Sequence, residues 1–317
     1  MSLRVTQSMM NARLLSNITG NMNRMNTLQD QLSSGKKINK PSDDPVGLTF
    51  AMRYRSELQS NEQYERNVGS ATSLLEHTDT TMGEATEVLQ RVRELMVQGA
   101  SDTLSHDGRI AISTELKQLH SQMIEIGNSQ FNGKYMFNGE QTLSAPYPKV
   151  TIDEAASTTP TPAMAQNVTS DAGQIKYELS PGMVMAVNVT GDEFFGPAVA
   201  PGQEGTSDNV FNVISQAVKA LESDDTAAVS SMLGRVDTRM STMLEKRSEV
   251  GARMNRVELI TSRLQDNGIN LQTVQAKAED ADMSEVITNL KMEENVYQAS
   301  LSAGAQIIRP SLVDFLR

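Results

Sequence analysis

The sequence predicts a mainly α-helical protein, an elongated rod of long antiparallel helices that interact as in coiled coils, with a β-rich insert. Two observations support this fold class: apolar repeats near both ends of the chain, and the uneven placement of proline. Seven of the ten prolines lie between Pro146 and Pro201, whereas none lies between Pro45 and Pro146 or between Pro201 and Pro310. Because a proline inside a helix costs about 3 kcal/mol, the order of elements should be helix, insert, helix.

Each proline-free tract carries apolar residues three and four positions apart, the spacing of a narrow seam between two helices. The first seam consists of Val68, Ala71, Leu75, Thr78, Met82, Ala85, Leu89, Val92 and Met96. The second seam consists of Leu233, Val236, Met240, Met243, Val250, Met254, Val257, Leu264 and Leu271, with Arg247, Thr261 and Gly268 as interruptions. We expect the two seams to meet in an antiparallel pair.

A shorter amphipathic helix should precede the first long one and end at residues 33–35. Asp43 and Asp44 then supply capping carboxylates, and Pro45 occupies the first helical position. A helix from Pro45 to about Gln98 would be about 80 Å long at 1.5 Å per residue. This length is the reason for predicting a rod.

The middle of the chain contains turn and strand signals. After a helix that opens at Asp107, two Asn-Gly pairs at 132–133 and 138–139 predict that strands begin there. Alternating apolar residues at 175–179 and 183–189 predict a two-stranded unit. Helix should return at about Ser207, and a second long helix should run from about Thr226 to about Lys277.

Three domains are expected from this order. Residues 1–40 and 279–317 would be terminal axial helices that form an assembly domain, residues 41–140 and 206–278 a helical rod domain, and residues 141–205 a β-rich outer insert. The predicted self-assembly seam of the terminal helices consists of Leu14, Ile18, Met22, Met25, Leu28, Leu32, Met283, Ile287, Leu290, Tyr297, Leu301 and Ile308.

Composition excludes several classes of function. The chain has no cysteine, so disulfides, thiolate metal sites and cysteine nucleophiles are impossible. No apolar run is long enough to span a membrane, and the first twenty residues lack the core of a signal peptide. A net charge of -11 argues against nucleic acid as a partner. Residues 1–40 carry +5 and residues 279–317 carry -4, so the two ends could pair, or both could be ordinary solvated faces.

No catalytic, cofactor or metal site is expected. His77 and His120 each neighbour a seam or apolar position on a helix, which favours a place on the helix flank over metal binding. The run 105–107, Ser-His-Asp, has the residue types of a catalytic triad, but sequence neighbours cannot adopt its geometry. The carboxylates of Asp43 and Asp44 could suggest a divalent cation, yet capping and the helix dipole explain them better.

Three segments resemble a known family. Residues 33–47, Ser-Ser-Gly-Lys-Lys-Ile-Asn-Lys-Pro-Ser-Asp-Asp-Pro-Val-Gly, are similar to the signature turn of bacterial flagellins and their hook-filament junction relatives. Residues 280–285 and 297–301 resemble the C-terminal end of the same family. Flagellins usually have Ala-Ala-Asp-Asp-Ala in the turn, whereas residues 41–45 here are Pro-Ser-Asp-Asp-Pro, as in the junction proteins. The residues that carry the signature turn are Gly35, Pro41, Ser42, Asp43, Asp44 and Pro45.

The resemblance implies an extracellular structural protein of the bacterial flagellum, exported through the flagellar type III pathway. It would join the hook to the flagellin filament by coiled-coil self-assembly and would not be an enzyme. The implied partners are copies of itself, the hook-side junction protein, flagellin and a flagellar export chaperone, with no nucleic acid, membrane or cofactor. The main alternative is a flagellin filament subunit. An enzyme carried in the insert and an intracellular coiled-coil scaffold are further alternatives, although residues 140–205 contain no histidine.

Overall fold

The computed structural model describes residues 7–153 and 164–308, with side chains from 9 to 153 and from 164 to 305. Its long helices lie before and after two short hairpins, which confirms the mainly helical class with a β-containing insert. The α-helices are α1 (Gln7–Ser34), α2 (Pro45–Gly99), α3 (His106–Gly127), α4 (Gly191–Phe195), α5 (Val210–Glu222), α6 (Thr226–Glu279) and α7 (Met283–Ile308). The strands are β1 (Gln130–Phe131), β2 (Lys134–Tyr135), β3 (Lys176–Ser180) and β4 (Met183–Ala186), and Ala165–Asn167 is a 3-10 helix.

The chain forms two compact units. Unit 1 comprises Met1–Asn61 with Asp266–Arg317, and unit 2 comprises Glu62–Gln265. Helices α2 and α6 contribute residues to both units. The three functional domains expected from the sequence have other boundaries, and that division stays a prediction.

The seam of α2 is part of the core of unit 2. All nine residues of the predicted stripe from Val68 to Met96 are at most 2% exposed. Two ion pairs fix the direction of α6 against it: Asp79 Oδ1 lies 3.1 Å from Arg247 Nε, and Asp237 Oδ1 lies 2.6 Å from Arg93 Nε. From the first ion pair to the second, the residue number increases along α2 and decreases along α6. The predicted antiparallel pairing of α2 and α6 is therefore confirmed within unit 2.

The two Asn-Gly pairs have different structural roles. Asn132 and Gly133 both have positive φ angles, 51° and 76°, and connect β1 to β2 as a two-residue hairpin turn. Asn138 instead turns its side chain inward, where Nδ2 donates to the carbonyl oxygens of Gln141 and Ser144 at 3.2 and 3.1 Å. The second pair therefore organises a loop and does not connect paired strands.

The middle segment packs against the helices of unit 2. Strands β3 and β4 form an antiparallel hairpin that turns at Gly182, which has a φ of 73°. Arg253 of α6 donates from Nη1 to the carbonyl oxygen of Asn188 at 3.1 Å. Five buried aromatic rings complete the core there, and they are Phe137, Tyr147, Phe194, Phe195 and Phe211. The sequence predicts the hairpin but gives no periodic signal for the aromatic cluster, whose members come from separate loops and helices.

Truncating Leu75 to alanine should lower the free energy of unfolding by about 2–5 kcal/mol, since the side chain is fully buried in the α2 seam. The matched control is Leu259→Ala on α6, where the leucine is 73% exposed and the expected change is below about 0.5 kcal/mol. Urea unfolding followed by circular dichroism measures both. Equal losses in the two variants would contradict the assignment of the seam.

Candidate assembly interface

The turn between α1 and α2 is held by two neighbouring carboxylates with separate tasks. Asp44 Oδ1 accepts from the backbone N–H groups of Val46 and Gly47 at 3.1 and 2.9 Å, so it caps α2 as the sequence predicts. Asp43 Oδ2 accepts from the N–H groups of Asn39 and Lys40 at 3.1 and 2.9 Å. The aspartate pair is thus occupied by backbone donors, and Pro45 begins the helix.

Gly35 and Gly47 are the glycines this turn requires. Gly35 follows the last residue of α1 with a φ of 71°, in the left-handed region that favours glycine. A Cβ on Gly47 would lie 2.4 Å from Asp44 Oδ2 and 2.8 Å from Ile38 Cδ1. The side chain of Ile38 is buried, so the turn closes over an apolar contact as well as over hydrogen bonds.

A short antiparallel bridge joins this turn to the end of α6. The N–H of Lys37 donates to the carbonyl oxygen of Glu279 at 2.7 Å, and the N–H of Ala281 donates to the carbonyl oxygen of Gly35 at 3.0 Å. Gly35 follows the last residue of α1, Glu279 is the last residue of α6, and Ala281 lies two residues before α7. The bridge therefore holds the exit of α1 and the entry of α7 side by side.

Beneath the bridge lies the carboxylate of Glu279, only 3% exposed. It receives hydrogen bonds from Arg55 and, at 2.8 Å, from Gln275 Nε2, and Lys36 Nζ lies 3.4 Å away. Burial acts to raise the pKa of Glu279, but these donors and charges outweigh burial, so the pKa lies below its ordinary value. The carboxylate stays ionised and connects residues of α1's exit, α2 and α6.

Helices α1 and α7 run antiparallel and pack against each other. Arg24 donates from Nε and Nη2 to the two carboxylate oxygens of Glu293 at 2.8 and 3.2 Å. Near the other end of the pair, a Cβ on Gly304 would lie 2.7 Å from Leu14 Cδ2, which shows how closely the helices approach. The hydrogen bond from Arg24 lowers the pKa of Glu293. Arg24–Glu293 and Lys36–Glu279 are two ion pairs between the oppositely charged ends, for which the sequence left pairing and ordinary solvated faces both open.

The structure divides the predicted assembly residues into two groups. Those turned toward the helix pair, buried or half-buried, are Leu14, Ile18, Met25, Leu28, Leu32, Leu290 and Tyr297. Those exposed are Met22, Met283, Ile287 and Leu301, and the side chain of Ile308 lies outside the described residues. In the signature turn, Pro41, Ser42, Asp43 and Pro45 are exposed and Gly35 and Asp44 are half-buried. Whether these positions mediate self-assembly stays a prediction.

Three contributors were not identified from the sequence. Val286 of α7, Asn21 of α1 and Glu279 at the end of α6 are all buried. The signal for Val286 was present, because it stands four residues before Leu290 on the same face of α7. Asn21 and Glu279 carry no such signal, since a single polar residue in a helix resembles any solvated position.

Exposed apolar side chains are concentrated in unit 1. Among the described residues, fourteen of the twenty large apolar side chains that face solvent belong to this unit, although it contains the smaller part of the described chain. They include Leu15 and Met22 on α1, Phe50 on α2, and Ile287 and Leu301 on α7. This distribution supports the prediction that unit 1 carries an interaction surface, and that role stays a prediction.

His106 and His120 of unit 2 make contacts within the fold. His120 is buried against Phe211, and burial lowers its pKa to about 4. His106 Nδ1 lies 2.8 Å from Asp224 Oδ2, while Ser105 Oγ accepts from the N–H of Gly108 as a helix cap. Within residues 7–153 and 164–308, no group of histidine, aspartate and glutamate side chains is placed to hold a metal ion. No helix in the same residues is long and apolar enough to cross a membrane.

Two family models match this chain. Residues 5–142 match the family model of the bacterial flagellin N-terminal helical region, and residues 233–316 match that of the bacterial flagellin C-terminal helical region. These regions together span more than half of the chain, which therefore belongs to the bacterial flagellin family. The long helices and the terminal helix pair are thus those of a structural protein of the bacterial flagellum.

The similar proteins include both a hook-associated protein and a flagellin. The chain is 24% identical over 314 residues to Flagellar hook-associated protein 3 of Salmonella typhimurium, which covers 94% of this chain and 95% of that protein. It is 26% identical over 312 residues to the flagellin of Bacillus subtilis, covering 96% of each. The solved structure of flagellar hook associated protein-3 from Legionella pneumophila shares the fold with a TM-score of 0.60 at 17% identity, over 71% of this chain and 98% of that one.

Replacing Gly47 with alanine should loosen the turn, because the added methyl group overlaps Asp44 and Ile38 at a cost of about 1–3 kcal/mol. The control is Gly69→Ala on the same helix, where no atom lies within 4 Å of the new Cβ and stability should rise by about 0.5–1 kcal/mol. Hydrogen exchange at the amides of Val46 and Leu48 reports on the cap. Unchanged protection in the first variant would contradict the tight fit.

Replacing Glu279 with glutamine should weaken the bridge by about 1.5–3 kcal/mol, since the charged hydrogen bond from Arg55 and the ion pair with Lys36 are lost. The folded-state pKa of Glu279 lies below its ordinary 4.5, so the stabilisation is complete above about pH 4.5 and disappears as the pH falls below that value. Hydrogen exchange at the Lys37 and Ala281 amides, corrected for intrinsic rates, should show this acid loss in the wild type only. Glu285→Gln, an exposed carboxylate, should keep the wild-type profile.

Proposed function

We propose that this chain joins the flagellar hook to the flagellin filament, as a junction protein that assembles with copies of itself, a hook-side junction protein and flagellin outside the cell. A flagellar export chaperone would accompany it before type III export. The observation that carries this proposal is the whole-length similarity to Flagellar hook-associated protein 3, together with the proline-bounded turn at residues 41–45.

The geometry of α7 supports a role in assembly. Val286, Leu290 and Gly304 are buried, and three residues before each of them stand Met283, Ile287 and Leu301, which are exposed. Three positions correspond to a rotation of about 60° around an α-helix. An uncovered apolar stripe therefore runs beside the covered one. We propose that this second stripe contacts a neighbouring subunit, which would make α7 a helix with two seams.

The turn and bridge would then set the geometry of the stripe. Glu279 and the backbone pairing of Lys37 with Glu279 fix where α7 begins, and Asp282 Oδ1 caps it by accepting from the N–H of Ser284 at 2.9 Å. When the first residues of α7 are already fixed, docking the helix costs less conformational entropy, because fewer degrees of freedom are lost on assembly.

A flagellin filament subunit is the second candidate. It is favoured by the similarity to the flagellin of Bacillus subtilis over 96% of both chains. The two functions differ in where the protein resides, since a junction protein remains on hooks that have lost their filament. Immunolabelling of isolated hook-basal bodies, with and without filaments, separates them: labelling restricted to hook ends supports the junction, and labelling along filaments supports flagellin.

Changing Ile287 and Leu301 together to serine should abolish binding to isolated hooks while unit 2 stays folded, because the second stripe would lose its apolar contacts. The control changes two exposed leucines of unit 2, Leu244→Ser and Leu259→Ser, and should bind as the wild type does. Sedimentation of labelled protein with hook-basal bodies measures binding. Full binding by the Ile287/Leu301 variant would exclude the stripe from the interface.

A further inference from the structure

The methionines of the two units differ in solvent exposure. In unit 2 every described methionine is buried or half-buried, for example Met82 and Met243 in the seams of α2 and α6. In unit 1 only Met25 is half-buried among the described methionines. The other six are between 39% and 58% exposed, and they are Met9, Met10, Met22, Met52, Met283 and Met292.

An exposed methionine side chain combines two chemical properties. Its thioether is flexible and apolar, which suits an adaptable packing surface, but it is also open to oxidants. The chain contains no cysteine, so no thiol competes for the oxidant. Hydrogen peroxide transfers one oxygen atom to the sulfur: the sulfur is oxidised to a sulfoxide, the O–O bond breaks, and the peroxide is reduced to water.

Oxidation would act where the apolar surface is needed. Met283 lies at the start of the uncovered stripe of α7, and Met22 is on α1, so sulfoxides would place a polar, chiral group on both helices. Unit 2 would be less affected, because its described methionines are either buried or packed half-buried against the core. The same reagent should therefore change the surface of one unit and leave the fold of the other intact.

We propose that the exposed methionines of unit 1 are sites of reversible oxidation that switch off assembly of the free subunit. The site is the set of six thioethers, and the oxidant is hydrogen peroxide. Methionine sulfoxide reductases return each sulfoxide to the thioether with a dithiol as the reductant, which is oxidised to a disulfide while the oxygen leaves as water. The assembly half of this proposal rests on the proposed function. The selective oxidation half does not, because it follows from exposure alone.

The test treats the full-length free subunit with hydrogen peroxide, maps the added oxygen by peptide mass spectrometry, and measures sedimentation with isolated hooks. The six exposed methionines should be oxidised before those of unit 2, and hook binding should be lost. Reduction with methionine sulfoxide reductases that act on both epimers, supplied with a dithiol reductant, should restore binding. Oxidation that spreads evenly over both units, or oxidised protein that still binds, would overturn the proposal.

A variant with all six changed to leucine keeps the volume and removes the thioethers. It should bind hooks before and after peroxide, and loss of its binding after peroxide would assign the effect to other residues and contradict the proposal. If the leucine variant fails to bind even without peroxide, the reductase rescue of the wild type decides the question. If the untreated wild type does not bind hooks, the proposed function and the assembly half fail together, and the oxidation map still decides the selective half.

Discussion

The antiparallel packing of α2 against α6 is the constraint on which unit 2 depends. Nine residues of one helix form an uninterrupted buried stripe, and ion pairs at Asp79–Arg247 and Arg93–Asp237 fix its direction. The hairpins and the aromatic cluster pack against this helical layer and contribute no seam of their own. Because apolar burial supplies most of the stability of a fold, unit 2 has its own core.

Unit 1 is organised by polar contacts, and this contrast explains how it could serve assembly. Among the described large apolar side chains of α1 and α7, only Val286 and Leu290 are fully buried. Glu279, the backbone bridge and the cap at Asp44 hold the helix ends. Much of the apolar surface of the unit is left facing solvent. This combination supports the proposal that unit 1 docks against neighbouring subunits.

Much of the fold could be predicted from spacing and from the residues that terminate helices. The α2 seam was predicted residue by residue, and Pro45 and Gly35 marked the helix ends closely, because proline and left-handed glycine restrict the backbone locally. The terminal pair could be predicted only in part. On α7, Met283 and Val286 are both apolar, so the sequence does not determine which of two adjacent faces meets α1.

The amino-acid sequence by itself determined the helices, their seams in unit 2, the capped turn and the membership of the flagellin family, because these depend on local periodicity and on short motifs. Only the tertiary structure decided that Glu279 is a buried ion-pair partner, that Asn138 organises a loop, and that the methionines are buried in one unit and exposed in the other. Such properties depend on which distant residues come together. Burial and hydrogen bonding are relations between segments, and no single segment encodes them.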